Sequence, residues 1–261
     1  MGTPRDASRQ YASADPLKVR IMTHRRYEER PIDLDAACAG IMQLADEASV
    51  LDVGTGPGGF LGYLRDRGHR GRLVGLDTSP AMLAEAERAW PDVTWVQGDV
   101  QSLAFGEGEF TWVTARHMLY HVPDLPRALG ACARVGERFL AVTNSERSLP
   151  RIKELRQEMA ARFGLAPREP SSFSAEDAPG ILGSVFAVVR ACTLENALVF
   201  SEPEPIAAYI ASGFAPADVR AQPERYAEIR SWLTAQARRR LQELGGVWRD
   251  PKAVGVFACR R

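Results

Sequence analysis

The sequence lacks the features that mark membrane-spanning proteins, disulfide-linked proteins and proteins that bind nucleic acid nonspecifically. No apolar run approaches the roughly 18 residues that a membrane span requires. The formal net charge is zero, so the broad positive field that accompanies nonspecific nucleic-acid binding is missing. The cysteines have no paired spacing, so neither a disulfide framework nor a zinc site is indicated: Cys38, Cys132, Cys192 and Cys259. We expect a globular protein that spans no membrane, with nucleic acid only as a minor alternative partner.

Lysine is also scarce, since only Lys18, Lys153 and Lys252 are present and the other basic residues are arginines. We attribute this bias to overall amino-acid composition rather than to anion recognition, because arginine's preference for phosphate needs a cluster of arginines to form a site. Residues 1–14 contain no apolar stretch of the kind found in signal peptides. Together with unpaired, reduced thiols, this start favours a cytoplasmic protein.

What is present from residue 49 to residue 144 is an alternation of short β-rich runs with helical patterns. Apolar runs of strand length fall at 49–53, 72–77, 94–98, 110–115 and 138–143. Ser79 followed by Pro80 is a good helix start, and Asp124 with Pro126 is another. The pattern predicts an α/β fold with a doubly wound, mostly parallel sheet.

After the fifth strand the pattern changes. It predicts a helix at 149–163, strands at 185–193 and 197–200, helices at 204–211 and 223–244, and a last strand at 253–259. We therefore expect an N-terminal lid segment at 1–40, an α/β core at 41–144, an insertion or cap on the substrate side at 145–249, and a terminal strand of the core sheet at 250–261.

A glycine-rich turn joins the first strand to the first core helix, with Gly54, Gly56 and Gly58 in it. Glycines at such a turn let backbone amides approach a ligand. The spacing fits a nicotinamide dinucleotide as well as other nucleosides. Asp52 lies directly before the first glycine. Its carboxylate would repel a pyrophosphate but could lie beside an ammonium group.

Two further acids follow the next two strands. Asp77 ends the second strand, where it could accept hydrogen bonds from both hydroxyls of a ribose, and Thr78 follows it. Asp99 follows the third strand and could accept from an adenine amine while Val100 packs against the base. Carboxylates without an obvious phosphate-binding cation suit a cationic nucleoside that carries no phosphate.

With these motifs, residues 50–144 resemble the class I S-adenosylmethionine (SAM)-dependent methyltransferases, particularly the small-molecule group called type 11. The resemblance implies a seven-stranded Rossmann-like sheet, SAM as cofactor and a small-molecule acceptor. It implies that Gly54, Gly56 and Gly58 line the cofactor, that Asp77 holds its ribose and that Asp99 addresses its adenine. One departure is the shortened turn Val135-Gly136-Glu137-Arg138 before the fifth strand.

The segment after the fourth strand contains the candidate catalytic residues Arg116, His117 and His121. Carboxyl ends of strands form the ligand crevice of an open α/β sheet, so Arg116 and His117 should border the transferred group. An imidazole with a pKa near neutrality would suit a general base. His117 and His121 are four residues apart, but a third ligand is not evident, so we expect no metal.

A basic helical segment at 18–27 precedes the core, and we expect it to close over the cofactor. The expected cofactor-binding set is Asp52, Gly54, Gly56, Gly58, Asp77, Thr78, Asp99, Val100 and Arg116. The expected reaction is methyl transfer from SAM to an oxygen, nitrogen or carbon of a small molecule, secondary metabolites included. Two alternatives stay open, namely an NAD-dependent oxidoreductase and a non-catalytic SAM-binding regulator. The sequence does not predict the oligomeric state.

Overall fold

The computed structural model describes residues 15–167, 170–214, 219 and 222–261. Its centre is a seven-stranded sheet in the order β3-β2-β1-β4-β5-β7-β6. The first five strands pair in parallel, and β7 runs antiparallel to both of its neighbours, β5 and β6. The strands are Val50–Val53 (β1), Leu73–Asp77 (β2), Thr94–Gln97 (β3), Phe110–Arg116 (β4), Gly136–Asn144 (β5), Ala187–Phe200 (β6) and Trp248–Arg260 (β7). The predicted doubly wound, mostly parallel sheet is confirmed.

Helices connect and cover these strands. The helices of the described residues are Asp15–Tyr27 (α1), Leu34–Met42 (α2), Gly59–Asp66 (α3), Pro80–Ala89 (α4), Leu125–Val135 (α5), Pro150–Phe163 (α6), Ala178–Gly183 (α7), Pro203–Phe214 (α8) and Pro223–Glu243 (α9). Among the residues described, no helix combines the length and the apolarity needed to cross a membrane.

Local chemistry explains where several helices begin. The Ser79 hydroxyl accepts from the Met82 amide, and the Asp124 carboxylate accepts from the Arg127 amide, as their cap positions predict. The shortened turn before the fifth strand is shorter still in the structure, because α5 ends at Val135 and β5 begins at Gly136. A Cβ on Gly136 would lie 2.6 Å from Val113 Cγ2, so glycine allows this direct entry into the sheet.

The C-terminal half differs from the expectation in its strands. The runs at 185–193 and 197–200 are one strand, β6, which pairs with β7 along almost its whole length. Polar residues near Asn196 interrupt the apolar pattern, but the buried Asn196 amide is satisfied by the backbone of Arg30, to which it donates and from which it accepts. The last strand also begins earlier than predicted, at Trp248. One strand of the core sheet thus lies inside the segment 145–249, whose assignment as an insertion or cap stays a prediction.

Two apolar cores lie on the faces of the parallel strands, and a third joins α6, α8 and α9 to the start of β7 and the end of β6. Trp248 and Phe200 are fully buried in this third core. It places a helical layer beside the carboxyl ends of the parallel strands.

Candidate functional site

The turn between β1 and α3 has an unusual backbone. Gly54, Gly56 and Gly58 have φ of 65°, 57° and 80°, a left-handed conformation that side chains with a Cβ rarely adopt. Thr55 between them donates its amide to the Leu76 carbonyl at 3.0 Å, which ties the turn to β2. The glycines are therefore required by the backbone itself.

The three glycines differ in what surrounds the missing side chain. A Cβ on Gly54 would lie 2.7 Å from Met118 Cγ, and one on Gly58 would overlap the Trp95 ring. At Gly56 the nearest atom is Leu17 Cδ2, 3.9 Å away. Two of the glycines thus admit side chains of the protein, and the open space of the turn lies at Gly56.

The carboxylate of Asp77 is directed at this turn. One oxygen accepts from the Gly56 amide at 2.8 Å and the other from the Ser79 amide at 2.9 Å. Each carboxylate oxygen can accept more than one hydrogen bond, so both remain able to take a further donor. The structure therefore brings Asp77 and Gly56 together, and their assignment to a cofactor stays a prediction.

The end of β3 lies beside the end of β2. Gln97 Nε2 donates to the Thr78 carbonyl at 3.4 Å. Asp99 is exposed, and its carboxylate accepts from the amide of Gln101 at 2.8 Å and from the Gln101 side chain. Val100 is buried in the apolar core on one sheet face. Asp99 therefore faces solvent at the same edge as Asp77, whereas the Val100 side chain packs into the core.

Asp52 and Arg116 belong to a buried polar group beneath the turn. Thr114 donates to Asp52 at 2.5 Å, and Arg116 donates to Asp35 at the start of α2. The Arg116 guanidinium also lies 4.2 Å from the centre of the Phe60 ring. Burial raises the pKa of Asp52. Asp35 and Thr114 were not predicted, because no local pattern links them to residues that far along the chain.

His117 follows β4 in a strained conformation, with φ of 54°. Its amide donates to the Val142 carbonyl at 2.8 Å, while its Nδ1 is buried without a hydrogen-bond partner among the described residues. Burial, helped by the positive charges of Arg116 and Lys252, lowers the pKa of His117 to about 3. The near-neutral pKa expected for a general base is therefore not what the structure supports.

His121 lies one short turn further on. It closes the 3-10 turn Leu119–His121, and its ring centroid is 4.5 Å from that of Tyr120. Groups of three or more metal-binding side chains are not found among the described residues.

Helix α1 crosses this edge of the sheet. Near its start, Leu17 approaches Gly56, and Lys18 forms an ion pair with Glu85 of α4 at 3.0 Å. Near its end, His24 lies 3.2 Å from the Tyr209 hydroxyl of α8. The start of α1 thus lies against the glycine turn, and the assignment of the N-terminal segment as a lid over a cofactor stays a prediction.

Comparison with known proteins relates the segment that contains the glycine turn and Asp77 to methyltransferases. Residues 50–162 match the family model described as a methyltransferase domain. A relative from Methylobacterium nodulans, trans-aconitate 2-methyltransferase, is 39% identical over 102 residues, which cover 35% of this chain and 39% of the relative. The chain thus matches about two fifths of the length of such relatives.

Two solved structures share the fold over most of the chain. The cyclase SpnF has a TM-score of 0.64 at 16% identity and covers 99% of this chain and 97% of its own. Phosphoethanolamine N-methyltransferase 2 of Haemonchus contortus, solved with S-adenosylhomocysteine, has a TM-score of 0.57 at 16% identity and covers 100% of this chain and 60% of its own. At these identities the likeness concerns the fold.

Proposed function

We propose that this chain, whose residues 50–162 match the methyltransferase-domain family model, is a class I SAM-dependent methyltransferase that transfers a methyl group from SAM to a small-molecule acceptor. The observation that carries the proposal is the open space at Gly56 beside the Asp77 carboxylate. A Cβ would fill this space, and the carboxylate can accept hydrogen bonds there from a ribose.

The charge and the hydrogen-bond acceptors at this edge of the sheet suit the cofactor. SAM carries a sulfonium and an ammonium group and no phosphate, and the edge presents the carboxylates of Asp77 and Asp99. Asp77 would hold the ribose hydroxyls and Asp99 the adenine amine. The Asp52 carboxylate accepts from Thr114, and the Arg116 guanidinium donates to Asp35. Because these groups already have partners within the protein, we propose that they support the glycine turn rather than contact the reacting atoms.

When bound, SAM supplies an activated methyl group on its sulfonium. The residues of the chain then need to align an acceptor, exclude water and hold the turn in place, and such positioning supplies much of the rate. Helix α1 covers the turn and would exclude water. His117 is neutral and weakly basic in its buried position, so we assign it hydrogen bonding to the acceptor rather than proton removal.

The identity of the methyl acceptor does not follow from the relatives. The Methylobacterium nodulans protein is named for its action on trans-aconitate, but the matched stretch covers only 35% of this chain. SpnF, named a cyclase, shares the fold, so the fold by itself does not determine the reaction. A SAM-binding protein without methyl transfer is the second candidate, whereas the family match leaves an NAD-dependent oxidoreductase without support.

The experiment is calorimetric titration of the whole chain with SAM and, separately, with NAD. We expect SAM alone to bind, and Asp77→Ala to weaken it roughly tenfold to a hundredfold, the effect of losing about 1.5 to 3 kcal/mol of charged hydrogen bonding. Asp92→Ala, which removes an exposed carboxylate paired with Arg65, is the matched control.

Transfer of radiolabel from methyl-labelled SAM into an extractable small molecule then separates an enzyme from a non-catalytic binder. Unchanged SAM affinity in a folded Asp77→Ala variant would remove the assignment of that residue. Binding without any labelled product from a wide acceptor library would favour the binder.

A further inference from the structure

The side chain of Gln101 connects two elements at the edge of the sheet where Asp99 lies. Gln101 is the middle residue of the 3-10 turn Val100–Ser102, which follows β3, and the residue is half-buried. Its Nε2 lies 3.2 and 3.0 Å from the two carboxylate oxygens of Asp99. Its Oε1 accepts from the Asp124 amide at 3.1 Å. Gln101 thus bridges the Asp99 carboxylate and the start of α5.

These two contacts fix which way round the Gln101 side-chain amide lies. An ionised Asp99 carboxylate can only accept hydrogen bonds, whereas the backbone N–H of Asp124 can only donate one. A rotation of the side-chain amide by half a turn would set its oxygen against the carboxylate and its NH2 group against the Asp124 N–H. Both hydrogen bonds would then be lost, so the orientation with the NH2 group on Asp99 is the one that satisfies both partners.

The backbone of Gln101 is held as well. Its amide donates to Asp99 Oδ1 at 2.8 Å, and its carbonyl accepts from Arg127 Nε at 2.9 Å. The Ser102 amide closes the turn on the Asp99 carbonyl at 2.9 Å. Because α5 holds the side chain through Asp124 and the carbonyl through Arg127, Gln101 has little freedom to turn away from Asp99.

The hydrogen bonds that Asp99 already accepts leave one direction open. A carboxylate oxygen can accept about two hydrogen bonds. Oδ1 accepts from the backbone amide and the side chain of Gln101, whereas Oδ2 accepts from the side chain alone. With respect to the described residues, Oδ2 therefore has room for one more donor, and Asp99 is exposed. The Gln101 amide is neutral, so the carboxylate keeps its negative charge for a ligand.

We propose that Gln101 is a positioning residue for the base of the cofactor, an inference that rests on the SAM binding proposed above. By holding the Asp99 carboxylate, Gln101 presents Oδ2 to the 6-amino group of adenine and makes the site select adenine over a 6-oxopurine. A 6-oxopurine has a carbonyl oxygen in place of the amino group, and two facing acceptors repel. A carboxylate that was free to turn could instead accept from the N1–H of the 6-oxopurine, and Gln101 prevents that turn.

The test compares two ligands on the whole chain. S-adenosylhomocysteine carries adenine, and S-inosylhomocysteine carries hypoxanthine, the corresponding 6-oxopurine, on the same ribose and amino-acid moiety. Calorimetric titration gives the ratio of their dissociation constants, which we call the adenine preference. We expect an adenine preference of at least roughly 30-fold in the wild type, since the wrong base loses a hydrogen bond to a charged group and leaves that group without a partner.

Two variants change the group that faces Asp99. Gln101→Met removes both polar contacts of the side chain and keeps its length. Its adenine preference should fall at least roughly fivefold, because the affinity for S-adenosylhomocysteine drops while that for S-inosylhomocysteine rises. Gln101→Glu keeps an acceptor for the Asp124 amide but sets a negative oxygen against Asp99, so it should lower the preference too. A general loss of stability would weaken both ligands together and leave the ratio unchanged.

Arg127→Met is the matched control. It removes the hydrogen bond to the Gln101 carbonyl and keeps the contacts between Gln101 and Asp99, so it loosens the same turn without freeing the carboxylate. Its adenine preference should stay within about twofold of the wild type.

An unchanged adenine preference in folded Gln101→Met overturns the inference, and so does an equal fall in Arg127→Met. If Gln101→Met does not fold, Gln101→Glu decides by the same measurement. A wild type that binds the two ligands equally also overturns the inference. A wild type that binds neither ligand overturns the proposed function instead, so the two failures are distinguishable.

Discussion

At the scale of single residues, the three glycines of the turn share a left-handed backbone but differ in what surrounds the missing side chain. Gly54 and Gly58 allow Met118 and Trp95 to pack against the turn, so their lack of a side chain serves the protein itself. Gly56 is different, because only Leu17 lies near its missing Cβ. A substitution at Gly56 therefore tests the ligand site more directly than one at either neighbour.

We predict that Gly56→Ala weakens SAM binding at least roughly tenfold. The new methyl group would occupy the space assigned to the cofactor, beyond the cost of about 1 kcal/mol for a left-handed alanine. The measurement is calorimetric titration with SAM.

Gly108→Ala is the matched control for the glycine prediction. Gly108 has nearly the same backbone angle, φ of 61°, and no atom within 4 Å of its missing Cβ. It should therefore lose similar stability and keep its SAM affinity. Equal losses of affinity in the two variants would mean that strain alone, and not the space, is responsible.

At the scale of elements, α1 is more than a cover for the glycine turn. Its last residue, Tyr27, lies 4.9 Å from Phe200 between ring centroids, and the Glu28 that follows forms a β-bridge with Leu198 of β6. Lys18 ties its start to α4. The helix therefore joins the glycine turn to the helical layer, so its removal should affect stability as well as activity.

Deleting residues 1–30 should abolish methyl transfer, because the turn would then be open to water. It should also lower the midpoint of thermal unfolding, since the Tyr27 and Glu28 contacts are lost. Deleting residues 1–14 is the comparison, because it keeps α1. Normal turnover by the longer deletion would disprove the assignment of α1 as a lid.

The start of α6 depends on one buried carboxylate. Asp250 of β7 is fully buried and accepts from the amides of Arg151 and Ile152 at 3.1 and 2.8 Å. Asp250→Ala should cost about 1 to 3 kcal/mol of unfolding free energy, because it leaves those amides without an acceptor. Asp250→Asn keeps one acceptor oxygen and should cost less. Urea unfolding at neutral pH measures both, and equal stability of the alanine variant would contradict the capping role.

At the scale of the whole molecule, the region under α1 holds two neutral histidines that are charged only in acid. His24 and His117 both have a pKa of about 3 in the folded protein, below the ordinary value of 6.5. Between these values the unfolded chain binds protons that the folded chain does not, so stability falls as pH falls. The stability is fully present above pH 6.5 and is lost progressively toward pH 3.

We predict that unfolding free energy drops between pH 7 and pH 5, with about 2 to 4 kcal/mol of the drop due to His24 and His117. The double variant His24→Gln with His117→Gln should be flatter over this range, whatever its stability at pH 7. Urea unfolding at both pH values gives the two slopes. Identical slopes in variant and wild type would show that neither histidine is held neutral by burial.

The sequence by itself determined the features that depend on neighbouring residues. Apolar runs predicted the five parallel strands, the Ser79 and Asp124 caps act within three residues, and the glycine turn follows directly from its spacing. The juxtaposition of Asp77 with Gly56 was also foreseeable, because parallel strands end at one edge of a sheet.

Only the tertiary structure decided the chemistry around Arg116, His117 and Lys252. Arg116 finds Asp35 across 81 residues and Lys252 finds His24 across 228, pairings that depend on how α1 and α2 pack on the sheet. The pKa of His117 is likewise set by burial, which no local pattern encodes. Local propensity therefore determined the strands and the glycine turn, whereas packing between distant segments placed the charged groups of Arg116 and Lys252.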